Sequence, residues 1–307
     1  MSAGWVAAQV RSRSLTSRCV GPAGARDIAR SGSLSSALEV LATTSYGERL
    51  ESGLSLEEAE RALFETALWN LRVLAGWSPA LGASRLRVLA GGFELANIRG
   101  ELARIEGHQV PIPYDLGSLA SVPRHRQSSS IVELRESLKR SPWGDPGALE
   151  SPGILVALQI SLARRVVENV PEASVWAEGF CALVLARLVI AGTSLASDSV
   201  PDANARAVLG RNALHARTLH QLGAALPIEI AAVLEGATGP EDLWTCEARW
   251  WNQLWRSGEE GVRRGGAEPA TVVAAVAAMY ADVWRIRAAL EIAARAGRGI
   301  ELLDAVA

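Results

Sequence analysis

Apolar residues recur along most of this chain at the spacing of one helix face, and alternation of β-branched with polar residues over four or more positions is rare. Ser55-Leu-Glu-Glu58 has the form of a capping box, in which the serine oxygen meets an orphan amide and the glutamate reaches back. It predicts a helix to about residue 75 with Leu63, Ala67, Leu71 and Leu74 on one stripe. Trp77-Ser-Pro79 ends it. A second helix is expected over Ser84–Glu106, with Gly91-Gly92 marking a kink or a close helix contact. Residues 107–130, carrying Pro111, Pro113, Gly117 and Pro123, read as a connector.

Further helices are expected over 131–140, from Ser151-Pro152 to Asn169, over a mostly apolar 174–191, over 203–223, over 227–234, from the Thr238-Gly-Pro-Glu241 signal to Arg256, and over 270–295 up to Gly297. Ser141–Gly147 reads as a turn, and 192–202 and 258–269 as loops. That is roughly nine helices and no strand: an all-α chain with seams near 115–130 and 220–240.

Two phrases repeat. Leu41-Ala-Thr-Thr-Ser-Tyr46-Gly47-Glu48 is echoed 97 residues on by Leu138-Lys-Arg-Ser-Pro-Trp143-Gly144-Asp145. Glu94-Leu-Ala-Asn97-Ile-Arg99 is echoed by Ala182-Leu-Val-Leu185-Ala-Arg187 and then by Asp282-Val-Trp-Arg285-Ile-Arg287, at intervals of 88 and 100 residues. Such a period points to three copies of one helical unit, which is a scaffold pattern. Glu94 and Asn97 share a helix face while Arg99 points elsewhere, so the pair is read as a polar contact fixing one helix against a neighbour. Trp244, Ala248, Trp251 and Trp255 form a stripe read first as core and second as a groove for a partner helix; Trp250 lies off it, at the surface.

Composition narrows the chemistry. The 307 residues are 49% hydrophobic with net charge −2, which gives no reason to expect a nucleic-acid partner. Lys139 is the one lysine and sits in Leu-Lys-Arg, so no P-loop lysine exists. His215 and His220, five apart, point about 140° from each other on a helix. His108 and His125 lie in the connector, and Asp198 and Asp202 read as loop caps, so no metal set is expected. Cys19, Cys181 and Cys246 read as free thiols. No apolar run reaches the ~18 residues of a membrane span. Arg11, Arg13, Arg18, Arg26 and Arg30 give the N-terminus a composition that overlaps with a transit peptide, and the chain is read as soluble and uncleaved.

Trp5-Val-Ala-Ala-Gln-Val-Arg-Ser-Arg-Ser-Leu15, then Leu41–Gly47, then Phe93–Arg99, and finally Tyr280–Arg287, resemble in their order the central-stalk C subunit of the V-type (archaeal and bacterial A/V-type) ATPases, whose eukaryotic counterpart is the d subunit. The likeness is clearest over 5–105 and 270–296. Ala182 and Leu185 depart from the family's acid and asparagine, and Arg285 from its asparagine. The resemblance implies an all-α funnel of three pseudo-repeated lobes, near 1–120, 121–225 and 226–307, with pseudo-threefold symmetry. It implies a non-catalytic central-stalk rotor subunit without cofactor. Its partners would be the membrane proteolipid ring and the central shaft, and it would couple ion transport to ATP hydrolysis or synthesis at the cytoplasmic side as a peripheral membrane component. Tyr46, Gly47, Glu94, Asn97, Arg99, Trp143, Gly144, Asp282 and Arg287 are then the repeat-motif residues. The alternative readings are a cytosolic helical enzyme with a site assembled from Arg, Asp and Ser on different helices, or a generic helical adaptor.

Overall fold

A computed structural model describes residues 3–50, 53–121, 127–265 and 269–299. The chain is 73% helix, and no strand occurs among the described residues. In chain order the helices are α1 (Ala3–Thr16), α2 (Gly21–Ala29), α3 (Leu34–Ala42), α4 (Leu56–Trp77), α5 (Ala80–Leu89), α6 (Gly91–Ile105), α7 (Ile131–Lys139), α8 (Ser151–Asn169), α9 (Ser174–Ile190), α10 (Val200–Leu209), α11 (Arg211–Leu214), α12 (Leu219–Ala225), α13 (Ile228–Ala231), α14 (Leu243–Arg264) and α15 (Pro269–Ala294). They form two compact units: residues 1–86 with 251–307, and residues 87–250.

In the first unit α15 is the axis, with α1, α2, α3 and α4 packed around it. It is buried on every side from Thr271 to Met279, as an apolar run of Val and Ala allows. The Ser55–Glu58 capping box opens α4, and Leu63, Ala67, Leu71 and Leu74 are all buried. In the second unit α8 packs on α6, α9 and α10, and α9 also meets α12 and α13. The stretch Pro171–Ile190 has the length and apolarity of a membrane span, although the sequence reading recognised no such run; half of it is buried inside the unit.

Several expected elements came out differently. The helix expected over 84–106 is two, α5 and α6, separated at Ala90. The backbone leaves the α-helical path at Ala90, whose ψ is −4°, and at the next residue a β-carbon on Gly91 would lie 2.5 Å from the Leu162 side chain, so the glycine admits α8 at that point. The helix expected over 203–223 is three short ones: Gly210, at φ +81°, separates α10 from α11, and Thr218, in extended backbone, caps a new start at α12. The loop expected from Gly258 is helix instead, and α14 continues to Arg264. A β-carbon on Gly258 would meet the Ala278 amide at 2.6 Å and the Ala274 carbonyl at 2.7 Å, so this glycine serves helix packing rather than helix termination. The N-terminal helices α1, α2 and α3 lie outside the elements expected from the sequence, although Ser33 caps α3 and Pro22 lies in the first turn of α2.

Candidate functional site

The phrase at Leu138 builds its aromatic position from local hydrogen bonds. Ser130 caps α7 by accepting from the Glu133 amide, and Leu134 and Leu138 turn into the core. The chain then turns at Ser141, whose hydroxyl donates to the Leu138 carbonyl at 2.6 Å and accepts from the Trp143 amide at 3.1 Å. Gly144 follows at φ +75°. The turn drives Trp143 into a cluster of Leu95, Leu102, Leu134, Leu138, Ile154 and Leu158.

There its indole Nε1 donates to Glu94 at 3.1 Å. Glu94 also accepts from the backbone amide and hydroxyl of Ser121. The Arg165 guanidinium lies over the Trp143 ring at 4.7 Å, donates to Ser121 Oγ at 2.7 Å, and stands 3.9 Å from Glu94. Burial depresses the pKa of Arg165, and Glu94 opposes that shift. Asn97, one turn along, exchanges two hydrogen bonds with the Tyr114 backbone, at 2.9 and 2.7 Å. Together Glu94 and Asn97 fasten the connector that follows α6.

The phrase at Leu41 is constructed the same way. Ser33 caps α3, Thr44 donates to the Leu41 carbonyl at 2.7 Å, and Thr44 Oγ1 accepts from the Tyr46 amide at 3.2 Å. Tyr46 is then buried, and its hydroxyl donates to Asp282 at 2.9 Å. Asp282, wholly buried on α15, further accepts from the amides of Val20 at 2.9 Å and Gly21 at 2.7 Å, which open α2. One side chain thus ties the last long helix to both the start of α2 and the end of the α3 turn. Arg285, one turn on, lies over Trp255 at 4.8 Å and donates to Asn252 at 2.7 Å.

The electrostatics follow burial. Loss of water raises the pKa of Asp282 above the usual carboxylate range, against the lowering effect of its donors. It lowers Arg285 to about 10 and raises Tyr46 well above an ordinary phenol. Each carboxylate holds several internal donors, so the arrangement suits holding segments in register.

The other expected residues are placed as follows. Ala182 and Leu185 are buried in apolar surroundings on α9. Arg99 is exposed, while Arg187 pairs with Glu247 at 2.8 Å and Arg287 with Glu60 at 3.0 Å, all at the surface. On the tryptophan stripe, Ala248 and Trp255 are buried but Trp244 is exposed. Trp250, expected at the surface, instead donates to the Trp176 carbonyl at 2.9 Å and packs on Phe180; a β-carbon on Gly179 would collide with it. The α10 cap is Ser199, with Asp202 in the first turn paired to Arg206. The three cysteines are free. His125 lies outside the described residues, and among those residues no group of three His, Cys, Asp or Glu is placed to hold a metal.

Sequence reasoning missed Ser121, Arg165 and Asn252. Ser121 carries no local signal. Arg165 places a charge on the mostly apolar inner face of α8, and that interruption was readable.

No family model matches the chain, and no curated protein matches it.

Proposed function

We propose that the chain is a non-catalytic coupling subunit of a V/A-type rotary ATPase, linking the membrane proteolipid ring to the central shaft. The observation that carries this reading is the double occurrence of one construction: phrases 97 residues apart each end in a buried aromatic that donates to a buried carboxylate on another helix. A part that transmits torque must resist local give. Carboxylates that each accept several internal hydrogen bonds supply that resistance at the points where loops meet helices. The order of the phrases from Trp5 to Arg287 supports the same reading. In it, each construction joins two of the three lobes: Tyr46 of the first meets Asp282 of the last, and Trp143 of the middle one meets Glu94 of the first, while Ala182 and Leu185 leave the middle lobe without the acid and the amide.

The test is pull-down and cross-linking of the chain with a purified proteolipid ring and with shaft subunits. Capture by both is expected. Failure to bind either one refutes the assignment.

A further inference from the structure

The outer surface of α1 and the residues it packs against differ in chemistry from the rest of the first unit. α1 turns Trp5, Ala8, Ser12 and Leu15 inward. Its outward ridge is Val6, Val10 and Ser14, at helical spacing, and Val10 is 61% exposed; Arg13 is exposed beside that ridge, with its guanidinium 3.0 Å from where a β-carbon on Gly265 would stand. Arg11 reaches sideways over the Trp77 ring at 4.9 Å, where Trp77 ends α4 half exposed. Just beyond, Pro79 comes against Gly4 and Trp5 against Gly82, which sets the exposed Leu81 beside the same end of α1.

Neither contributing segment contains a carboxylate. Residues 1–26 carry Arg11, Arg13, Arg18 and Arg26, and residues 66–86 carry Arg72 and Arg85, with no aspartate or glutamate in either. Asp27 and Glu65 are the first acids beyond them.

We propose that this face rests on an anionic membrane surface. Tryptophan beside arginine is the chemistry of the headgroup zone: the ring sits at the interface, and the guanidinium meets phosphate while its stem follows the apolar side. Val6, Val10 and Leu81 are then shallow apolar anchors, and neither of the two segments adds a carboxylate to repel anionic headgroups. The anchors are few and separated along a helix ridge. That suits a fluid surface better than a protein partner, whose contact needs a continuous desolvated core. The inference does not rest on the coupling reading, since it concerns lipid and not the ring or shaft.

The test is co-sedimentation of the full chain with vesicles of phosphatidylcholine alone or mixed with phosphatidylglycerol. Binding is expected to the mixed vesicles only, and high salt should weaken it. Arg11→Ala with Arg13→Ala should weaken it about tenfold or more. Val10→Asp and Trp77→Ala, both at exposed positions, should each weaken it as well, with the helical circular dichroism unchanged. Equal binding to neutral vesicles, no binding to either, or retention by the double arginine variant would overturn the proposal. So would loss in the arginine variant with Val10→Asp and Trp77→Ala unaffected, because that would mean a contact by charge alone. None of these results bears on capture by the ring or the shaft, so the two readings fail separately.

Discussion

Tyr46 and Trp143 occupy the same place in two copies of one turn, yet they fasten their units differently. In the second unit the indole does two jobs: its Nε1 bonds Glu94 and its face carries Arg165. In the first unit the jobs are divided, with Tyr46 bonding Asp282 and Trp255 carrying Arg285. The acid also comes from different directions in sequence. Glu94 precedes its turn by 49 residues, whereas Asp282 follows its turn by 236 and comes from the far end of the chain. The comparison teaches that what repeats is the donor-to-carboxylate contact, while the cation and the acid's place in the chain are free to change. The glycine after each aromatic repeats for different reasons too. Gly144 has a left-handed backbone, and Gly47 has no room, since a β-carbon there would lie 2.1 Å from the Ala42 carbonyl oxygen.

The division of labour predicts unequal consequences. Trp143→Ala removes a buried ring, a bond to Glu94 and the platform under Arg165, and should cost about 3–5 kcal/mol. Hydrogen exchange would show the loss concentrated in residues 87–250, and equal loss of protection in both units would break the comparison. Gly47→Ala forces backbone apart and should destabilise more than Gly144→Ala, which imposes a strain of roughly 1–2 kcal/mol. Denaturant midpoints of the two variants decide the order, and the reverse ranking would show that the 3₁₀ turn Gly47–Arg49 yields easily.

Tyr46→Phe keeps its ring and removes one hydrogen bond, while Asp282 retains both α2 amides. A loss of about 1 kcal/mol is expected, well below that of Trp143→Ala. A loss as large as the tryptophan's would mean that the hydroxyl carries the whole contact.

The smallest effect is a dependence on pH. Burial raises the pKa of Asp282, so the folded chain keeps its proton at pH values where the unfolded chain, near the ordinary value of about 3.9, has released it. That contribution is full below the unfolded value and is lost as pH rises through the folded one. The stability of the parent chain relative to Asp282→Asn should therefore fall as pH rises from the acid side. Asp145 runs the opposite way: its hydrogen bond to Arg135 lowers its pKa, so its contribution is lost as pH falls. The difference in stability between the parent and Asp282→Asn and that between the parent and Asp145→Asn, measured across pH, should slope in opposite senses, and parallel slopes would contradict the assignment.

Local physical chemistry wrote much of this fold into the sequence. The Ser55–Glu58 box, the Ser151-Pro152 start and the end at Gly297 were legible because caps are set by residues next to one another. The Leu41 and Leu138 phrases were legible as equivalents because a serine or threonine turn is likewise local. Even the sharing of a face by Glu94 and Asn97 follows from helical spacing alone. Tertiary structure alone decided which donors meet Glu94 and Asp282, since Ser121, Trp143, Val20 and Tyr46 reach them across 27 to 262 residues. It also decided what the glycines do. Gly91 and Gly258 look alike as helix breakers, but one opens a helix against Leu162 and the other lies inside a helix against Ala274 and Ala278. A missing side chain is neutral in sequence, and only the neighbour that fills the space gives it a meaning.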